Sequence, residues 1–371
     1  VTGVQTYALP IYHLQTASAK DDGFVATIKQ MYVNVFTGFS ATLSPDAVEL
    51  VLEDPDVLFV EHDFIVNAKI DQTDPIWNLD RIDQTSMVLN DRYYTGDLSG
   101  EGVHIYILDT GINDVHSEFQ GRVGNGKSFV QNDPSWRDCN GHGTHCASTA
   151  VGTRWGVAKK ATVHAVRVLD CGGSGSWSAI IGGLDWVIGE SAKHSYTVVA
   201  SMSLGGEFSS VLNRAVKSAV DKGVFVTVAA GNENRDACTT SPSSEESAVT
   251  VGATAKGDIR SGFSNFGRCV DLYAPGSFIK AADYRSSSGS SILSGTSMAT
   301  PHVAGAAALL IQQYRYSGPE SSRRVWSTMK EMSICSYPSW WPCLNITCSW
   351  WPCSHSHHER GALEQHLPHG G

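Results

Sequence analysis

Several short, mostly apolar runs punctuate the chain: residues 103–108, 162–168, 196–200 and 224–230. A run of this length without polar alternation reads as a strand buried on both faces, as in a parallel sheet. Between the runs, residues 178–187 and 210–221 space their apolar positions as helices do. Strand–helix repetition of this kind predicts an α/β fold, a mostly parallel sheet with helices on both faces. A further apolar run at 303–311 is dense in alanine and suits a buried helix. Residues 319–332 read as a last helix, with Val325, Met329 and Met332 on one face.

The ends have another character. Residues 34–43 alternate like a half-buried strand. Ser44-Pro45-Asp46 then opens a helix over 47–53, with Pro45 in its first turn, where its missing N–H is not needed. Residues 57–66 read as a second strand carrying Glu61, His62 and Asp63. Residues 1–11 stand apart from this pattern and read as foreign to it. Beyond Ser333 the helical pattern stops, and Ser-Trp-Trp-Pro-Cys occurs twice, at 339–343 and 349–353, before His355, His357 and His358. These spacings fit no standard zinc site. Asn345-Ile346-Thr347 is a glycosylation acceptor on paper only.

Composition narrows the function. The 371 residues suffice for more than one domain, and the formal charge of −10 without basic runs argues against nucleic acid. No stretch of about 20 apolar residues is present, so no membrane span is expected. The chain starts Val1-Thr2-Gly3 without methionine, so a leader is expected to lie outside it.

Chemistry concentrates in four segments. Gly295-Thr296-Ser297-Met298-Ala299-Thr300-Pro301-His302-Val303-Ala304-Gly305 places one serine among small residues at the start of the buried helix, with Pro301 expected in the first turn. There, unpaired N–H groups and the positive end of the helix dipole face whatever Ser297 attacks. The strand ending Leu108-Asp109-Thr110-Gly111 delivers Asp109 at its carboxyl end, where open α/β sheets place their sites. In Asn140-Gly141-His142-Gly143-Thr144-His145-Cys146, flanking glycines leave His142 sterically open. The pair His142 and His145 could suggest a metal site, but no third ligand sits at helical spacing. Asp109, His142 and Ser297 together supply orienter, base and nucleophile for acyl transfer, since a serine hydroxyl attacks poorly until a neutral imidazole takes its proton. Asn232, closing the strand at 224–230, can donate to the oxyanion that acyl transfer creates. Activity should then rise with pH through an imidazole ionisation near ~6.5.

These segments resemble the subtilisin-like serine peptidases, in particular the proteinase K branch and its aqualysin-like members, over roughly residues 75–312. The resemblance implies catalytic Asp109, His142 and Ser297, with Asn232 in the oxyanion hole. It implies a pocket for the residue before the scissile bond lined by Ser203, Leu204 and Gly205 on one side and Ala229, Ala230 and Gly231 on the other. Such walls, without a fixed charge, predict broad apolar and aromatic preference. The stretch 172–177, including Ser174 and Gly175, resembles the exposed edge that pairs with a peptide backbone by strand addition.

The same resemblance pairs Cys139 with Cys171 and Cys238 with Cys269, leaving Cys146 as a buried free thiol, and implies an oxidising, extracellular destination. Asp80, Asp83 and Gln84, with Asn90, offer the clustered oxygens that suit structural calcium. Asp271, with the backbone oxygens of Glu246 and Ala248, matches a second calcium position. Residues 12–70 resemble the inhibitory prodomain of these enzymes, a small α+β unit whose first strand and helix look shortened or replaced, with a junction near 68–74. The expectation is therefore a secreted zymogen acting on protein or peptide substrates, inhibited by its own prodomain and monomeric, with a peptidase domain over 75–332 and an atypical tail over 333–371.

Overall fold

The computed structural model describes residues 2–4, 25–34, 37–61 and 72–332. The expected strand beyond Val60, the junction after it and the Cys/His-rich tail lie outside the described residues. The chain divides into two compact units, Val1–Ala68 and Lys69–Gly371.

In the first unit, four strands form an antiparallel sheet in the order Ala26–Tyr32, Gly38–Leu43, Thr2–Val4, Val57–Val60. The helix Pro45–Leu52 has Pro45 in its first turn, Asp46 against the positive end of its dipole, and Ala47 and Val51 turned inward. Those two side chains pack with Phe39 into a small core. Thr2–Val4 corrects the sequence reading. The segment read as foreign pairs with both Gly38–Leu43 and Val57–Val60. Three residues are too few to show periodicity, and only the two waiting strand edges reveal the role.

The second unit is built on an eight-stranded sheet. Its order is Ile259–Arg260, Val249–Ala255, Phe225–Ala229, Val199–Met202, His104–Asp109, Thr162–Arg167, Lys127–Ser128, with Leu272–Pro275 also pairing to Val249–Ala255. All pairings are parallel except that of Ile259–Arg260. Side chains alternate across a strand, which explains the mostly apolar runs. Ile105 and Ile107 enter a core beneath the helices His142–Val151, Thr296–Tyr314 and Ser321–Met332. Tyr106 and Leu108 enter a separate core beneath Trp177–Ser191 and Ser210–Asp221. The expected last helix is present, and Val325 and Met329 are buried under it as predicted.

Parallel connectivity gathers the chemistry at one edge. Asp109 ends its strand, Ser203 follows Val199–Met202, and Asn232 follows Phe225–Ala229. His142 and Ser297 open the two helices that return from this edge over the first core. One expectation fails here. Pro301 is not in the first turn, because the helix already begins at Thr296. Lacking an N–H, it leaves the carbonyl of Ser297 without its usual helical donor. That carbonyl instead accepts from Ser203 Oγ at 2.8 Å and from the Cys146 thiol at 3.4 Å.

Candidate active site

Asp109 is fully buried, and its carboxylate faces Nδ1 of His142 with N···O distances of 2.8 and 2.9 Å. The N–H of Thr110 holds the same carboxylate at 2.7 Å. With Nδ1 donating to Asp109, the lone pair of Nε2 faces the cavity, the tautomer a general base needs. Two glycines make this contact possible. Gly141 has φ +114°, a conformation side chains rarely adopt, and a Cβ there would strike the ring of Tyr284. A Cβ on Gly143 would strike the backbone of Gly111, so glycine lets the helix sit against the end of the Asp109 strand.

Ser297 is the second residue of its helix, and its N–H is one that no intrahelical carbonyl can reach. Its hydroxyl donates to the carbonyl of Ser203 at 3.1 Å, and among the described residues no hydrogen bond joins it to His142. Rotation about one side-chain bond moves the hydroxyl proton between these acceptors, and catalytic contacts of this kind commonly tighten only once substrate is bound. Oδ1 of Asn232 accepts from the N–H of Thr296 at 2.8 Å and from its hydroxyl at 3.0 Å. An N–H can only donate, so the Asn232 amide is fixed with Nδ2 outward beside Ser297, a second donor for an oxyanion.

Burial opposes a charged His142 ring, but the Asp109 carboxylate, with a smaller contribution from Cys146, outweighs it and holds the pKa well above the ordinary imidazole value. The ionisation expected near that ordinary value is thereby displaced upward. Cys146 is buried and unoxidised, with Sγ 3.9 Å from Nδ1 of His142, and burial pushes its thiol up, so it is no competing nucleophile at neutral pH. His145 bonds the carbonyl of Ile279 at 3.0 Å while His142 is held by Asp109, and His145 is not among the residues that cluster around His142, which argues against the His142/His145 metal reading.

Two concavities adjoin the triad. A groove of about 570 Å³ is lined by His142, Ser174, Gly175, Ser203, Leu204 and Gly205, with Leu169, Trp177 and Ile180 supplying apolar walls. A smaller pocket of about 130 Å³ is lined by Leu204, Gly205, Ala229, Ala230 and Gly231, beside Asn232 and Ser297. The expectation of walls without fixed charge needs correcting, because Glu233 and Arg235 also line the smaller pocket. They follow Asn232 on the same loop and stand 4.0 Å apart with half-exposed side chains, so their opposite charges largely cancel.

Several positioning residues escaped the sequence reading. Asp138 accepts from the N–H groups of Asn140, Gly141 and Thr144 and from the hydroxyls of Thr110 and Thr144, so it fixes the start of the His142 helix. Asn265 accepts from the N–H groups of Glu233 and Arg235 and donates to Ala230, which shapes the loop behind Asn232. An aspartate a few residues ahead of a glycine-flanked helix start was a readable signal for Asp138. Nothing local marks Asn265. Both expected disulfides are present, Cys139–Cys171 with Cα atoms 5.0 Å apart and Cys238–Cys269 at 5.3 Å. The first joins the residue after Asp138 to the residue before Gly172, and so ties the histidine loop to the groove edge.

Asp80 and Asp271 are each engaged by backbone N–H groups. Asp80 is buried and receives the N–H groups of Asn90 and Asp91, while Asp83 receives that of Tyr94 at 2.6 Å. Oε1 of Gln84, close by, is buried without a hydrogen-bond partner, as an oxygen reserved for a hard cation would be. Asp271 receives the N–H of Thr250 at 2.8 Å and lines a cavity of about 150 Å³ together with Glu246.

A serine at a helix start, a carboxylate-held histidine and outward donors beside a groove form the arrangement expected of a serine peptidase. Comparison with known proteins agrees. Residues 100–334 match the subtilase family, and residues 12–69 match peptidase inhibitor I9. The extracellular serine proteinase of Thermus sp. (strain Rt41A) is 49% identical over 295 residues, which is 79% of this chain and 71% of the relative. Alkaline serine exoprotease A of Vibrio alginolyticus is 49% identical over 292 residues, 77% of this chain but 54% of that protein. The crystal structure of a cold adapted subtilisin-like serine proteinase matches with a TM-score of 0.66 at 48% identity, covering 70% of this chain and 92% of that one. The chain belongs to the subtilase family and is a subtilisin-like serine endopeptidase that carries an inhibitor-type prodomain.

Proposed function

We propose that Ser297 is the nucleophile, His142 the general base and acid, Asp109 its orienter, and Asn232 with the Ser297 N–H the oxyanion hole. As Ser297 Oγ bonds to the scissile carbonyl carbon, its proton passes to Nε2 of His142. The imidazolium then gives that proton to the departing amine as the C–N bond breaks, leaving an acyl-enzyme. Water, deprotonated by the same nitrogen, hydrolyses the ester and restores the hydroxyl. The observation that carries this reading is the doubly contacted Asp109–His142 pair, 2.8 and 2.9 Å, at the same sheet edge as Ser297 and the Asn232 amide held by Thr296.

The finer assignments belong to the same proposal. The enzyme is of the proteinase K branch with aqualysin-like features, since both expected disulfides and the Cys146 position accompany the triad. It is secreted, like the extracellular relative from Thermus, and disulfides suit that destination. Residues 12–70 serve as the inhibitory prodomain and 75–332 as the peptidase. The leucine, alanine and glycine lining of the smaller pocket, with the opposed charges of Glu233 and Arg235 offsetting one another, favours apolar and aromatic side chains before the scissile bond. Asp80, Asp83, Gln84 and Asn90 hold one structural calcium, and Asp271 with backbone oxygens of Glu246 and Ala248 a second. Calcium there would pin surface segments and takes no part in the bond-breaking step.

Fluorophosphonate labelling tests the core of the proposal. Protein freed of its prodomain should take up one label, located on Ser297 by peptide mapping, and the Ser297→Ala variant should take up none. A folded wild-type protein that stays unlabelled would overturn the assignment.

A further inference from the structure

We propose that His104, His164 and His194 form a binding site for a divalent transition-metal ion such as zinc at the amino end of the sheet, remote from the triad. One ring nitrogen of each histidine lies within 4.8 Å of the corresponding nitrogens of the other two. The site is built by register. His104 and Tyr106 share one face of their strand by alternation, and His164 on the neighbouring strand is paired opposite Tyr106. His194 arrives from the segment between the helix Trp177–Ser191 and the strand Val199–Met202, which is the neighbour on the other side.

The hydrogen bonds orient the ligand atoms. Nδ1 of His164 is 2.9 Å from the carbonyl of Asn125, which can only accept, so Nδ1 carries the proton and Nε2 offers a lone pair. A second ring nitrogen bonded to a backbone carbonyl is the usual support for a metal-ligating histidine. Nε2 of His164 faces Nδ1 of His104 at 2.8 Å, so a single proton occupies the space between two nitrogens. Replacing that proton by an ion requires the nitrogens to part to roughly 3.3 Å, the separation set by tetrahedral geometry at zinc–nitrogen distances of about 2.0–2.1 Å. His194 now stacks on His104 with ring centroids 3.7 Å apart and bonds the Tyr106 hydroxyl at 2.9 Å. It must turn about its side-chain bonds to aim at the same point, and its half-exposed position permits this. The fourth position then falls to water, as in open three-histidine sites.

Glu190 lies nearby, its carboxylate paired with Lys193 Nζ at 2.6 Å and held by Asn125 Nδ2 at 3.0 Å, the same asparagine that orients His164. An ion here would staple the strand that ends in Asp109 to both of its neighbours. The triad lies at the other end of that strand, about 17 Å away at roughly 3.3 Å per residue, so stability should respond and catalysis should not. This inference is independent of the catalytic assignment.

The test uses the full chain with Ser297→Ala, which prevents self-digestion, at fixed calcium. Zinc chloride is titrated calorimetrically into this parent and into parents also carrying His104→Gln, His194→Gln or Cys146→Ala. The parent and the Cys146→Ala variant should bind one equivalent more than either histidine variant, and zinc should raise their melting midpoints by several degrees more. Substituting cobalt should give a tetrahedral visible spectrum without thiolate charge-transfer bands for that extra equivalent. Two half-exposed positions are varied, so a cooperative melt in either histidine variant makes its result decisive. Equal stoichiometry and equal midpoint shifts in all four proteins would overturn the proposal, as would a loss confined to Cys146→Ala.

Discussion

Breaking the Cys139–Cys171 bond should separate stability from catalysis in a way that its companion does not. The two disulfides span nearly equal loops, 32 and 31 residues. On the chain-entropy account each therefore contributes about 3.7 kcal/mol by restricting the unfolded chain. For a domain of this size that loss lowers the melting midpoint by roughly 7–15 °C. The double variants Cys139→Ala/Cys171→Ala and Cys238→Ala/Cys269→Ala, each in a Ser297→Ala background, should show similar drops by differential scanning calorimetry. In the active background they should diverge. Cys139 adjoins Asp138, which fixes the His142 helix, and Cys171 adjoins the Gly172 end of the groove. Loss of that bond should raise KM and lower kcat on peptide substrates well below the melting range. Loss of the second bond should leave both within about twofold. Midpoints unchanged within about 2 °C would refute the entropic reasoning. Equal kinetic damage from the two losses would refute the link between Cys139–Cys171 and the site.

Further expectations follow from the same geometry. His142 must be neutral to accept the Ser297 proton, and Asp109 holds its pKa above 6.5, so kcat/KM should rise with pH through a midpoint higher than that value. Asp109→Asn should move any residual ionisation downward, and a midpoint at or below 6.5 in the wild type would contradict the assignment. Pro301→Ala restores an N–H that competes for the Ser297 carbonyl, now held by Ser203 and Cys146. The variant should melt higher, by up to the ~3 kcal/mol that separates alanine from proline in helices, yet turn over more slowly. Unchanged kcat would show that the carbonyl does not position the serine. Chelating calcium should lower the melting midpoint, and Asp80→Asn should abolish most of that dependence while leaving a correctly folded protein by circular dichroism. A midpoint indifferent to chelator would remove the calcium proposal.

Much of this was legible locally. A short apolar run bounded by turn residues reads as a strand covered on both sides, so the sheet and its two helix layers were readable from residues such as Ile105 to Leu108. Asp109, His142, Asn232 and Ser297 were equally readable, because each occupies the end of an element that its neighbours define. Glycines at 141 and 143 mark close approach, and small residues around Ser297 mark a helix start. What resisted reading depended on partners distant in sequence. Thr2–Val4 is a strand only because two edges await it, and Asn265 matters only because the Asn232 loop folds over it. Pro301 was placed one turn too early, since the true helix start is set by Asn232 capturing the Thr296 N–H.

The amino-acid sequence by itself thus indicated the candidate catalytic side chains and the strands and helices that deliver them, since local periodicity and end signals point to both. Tertiary structure alone decided how those side chains are held and what else they meet: the Asp138 network, the charged loop at the smaller pocket, and the three histidines gathered from two strands and a connecting segment. The physical reason is register. Which residue of one strand stands opposite which residue of the next is set by packing across the whole sheet, and no single segment contains that information.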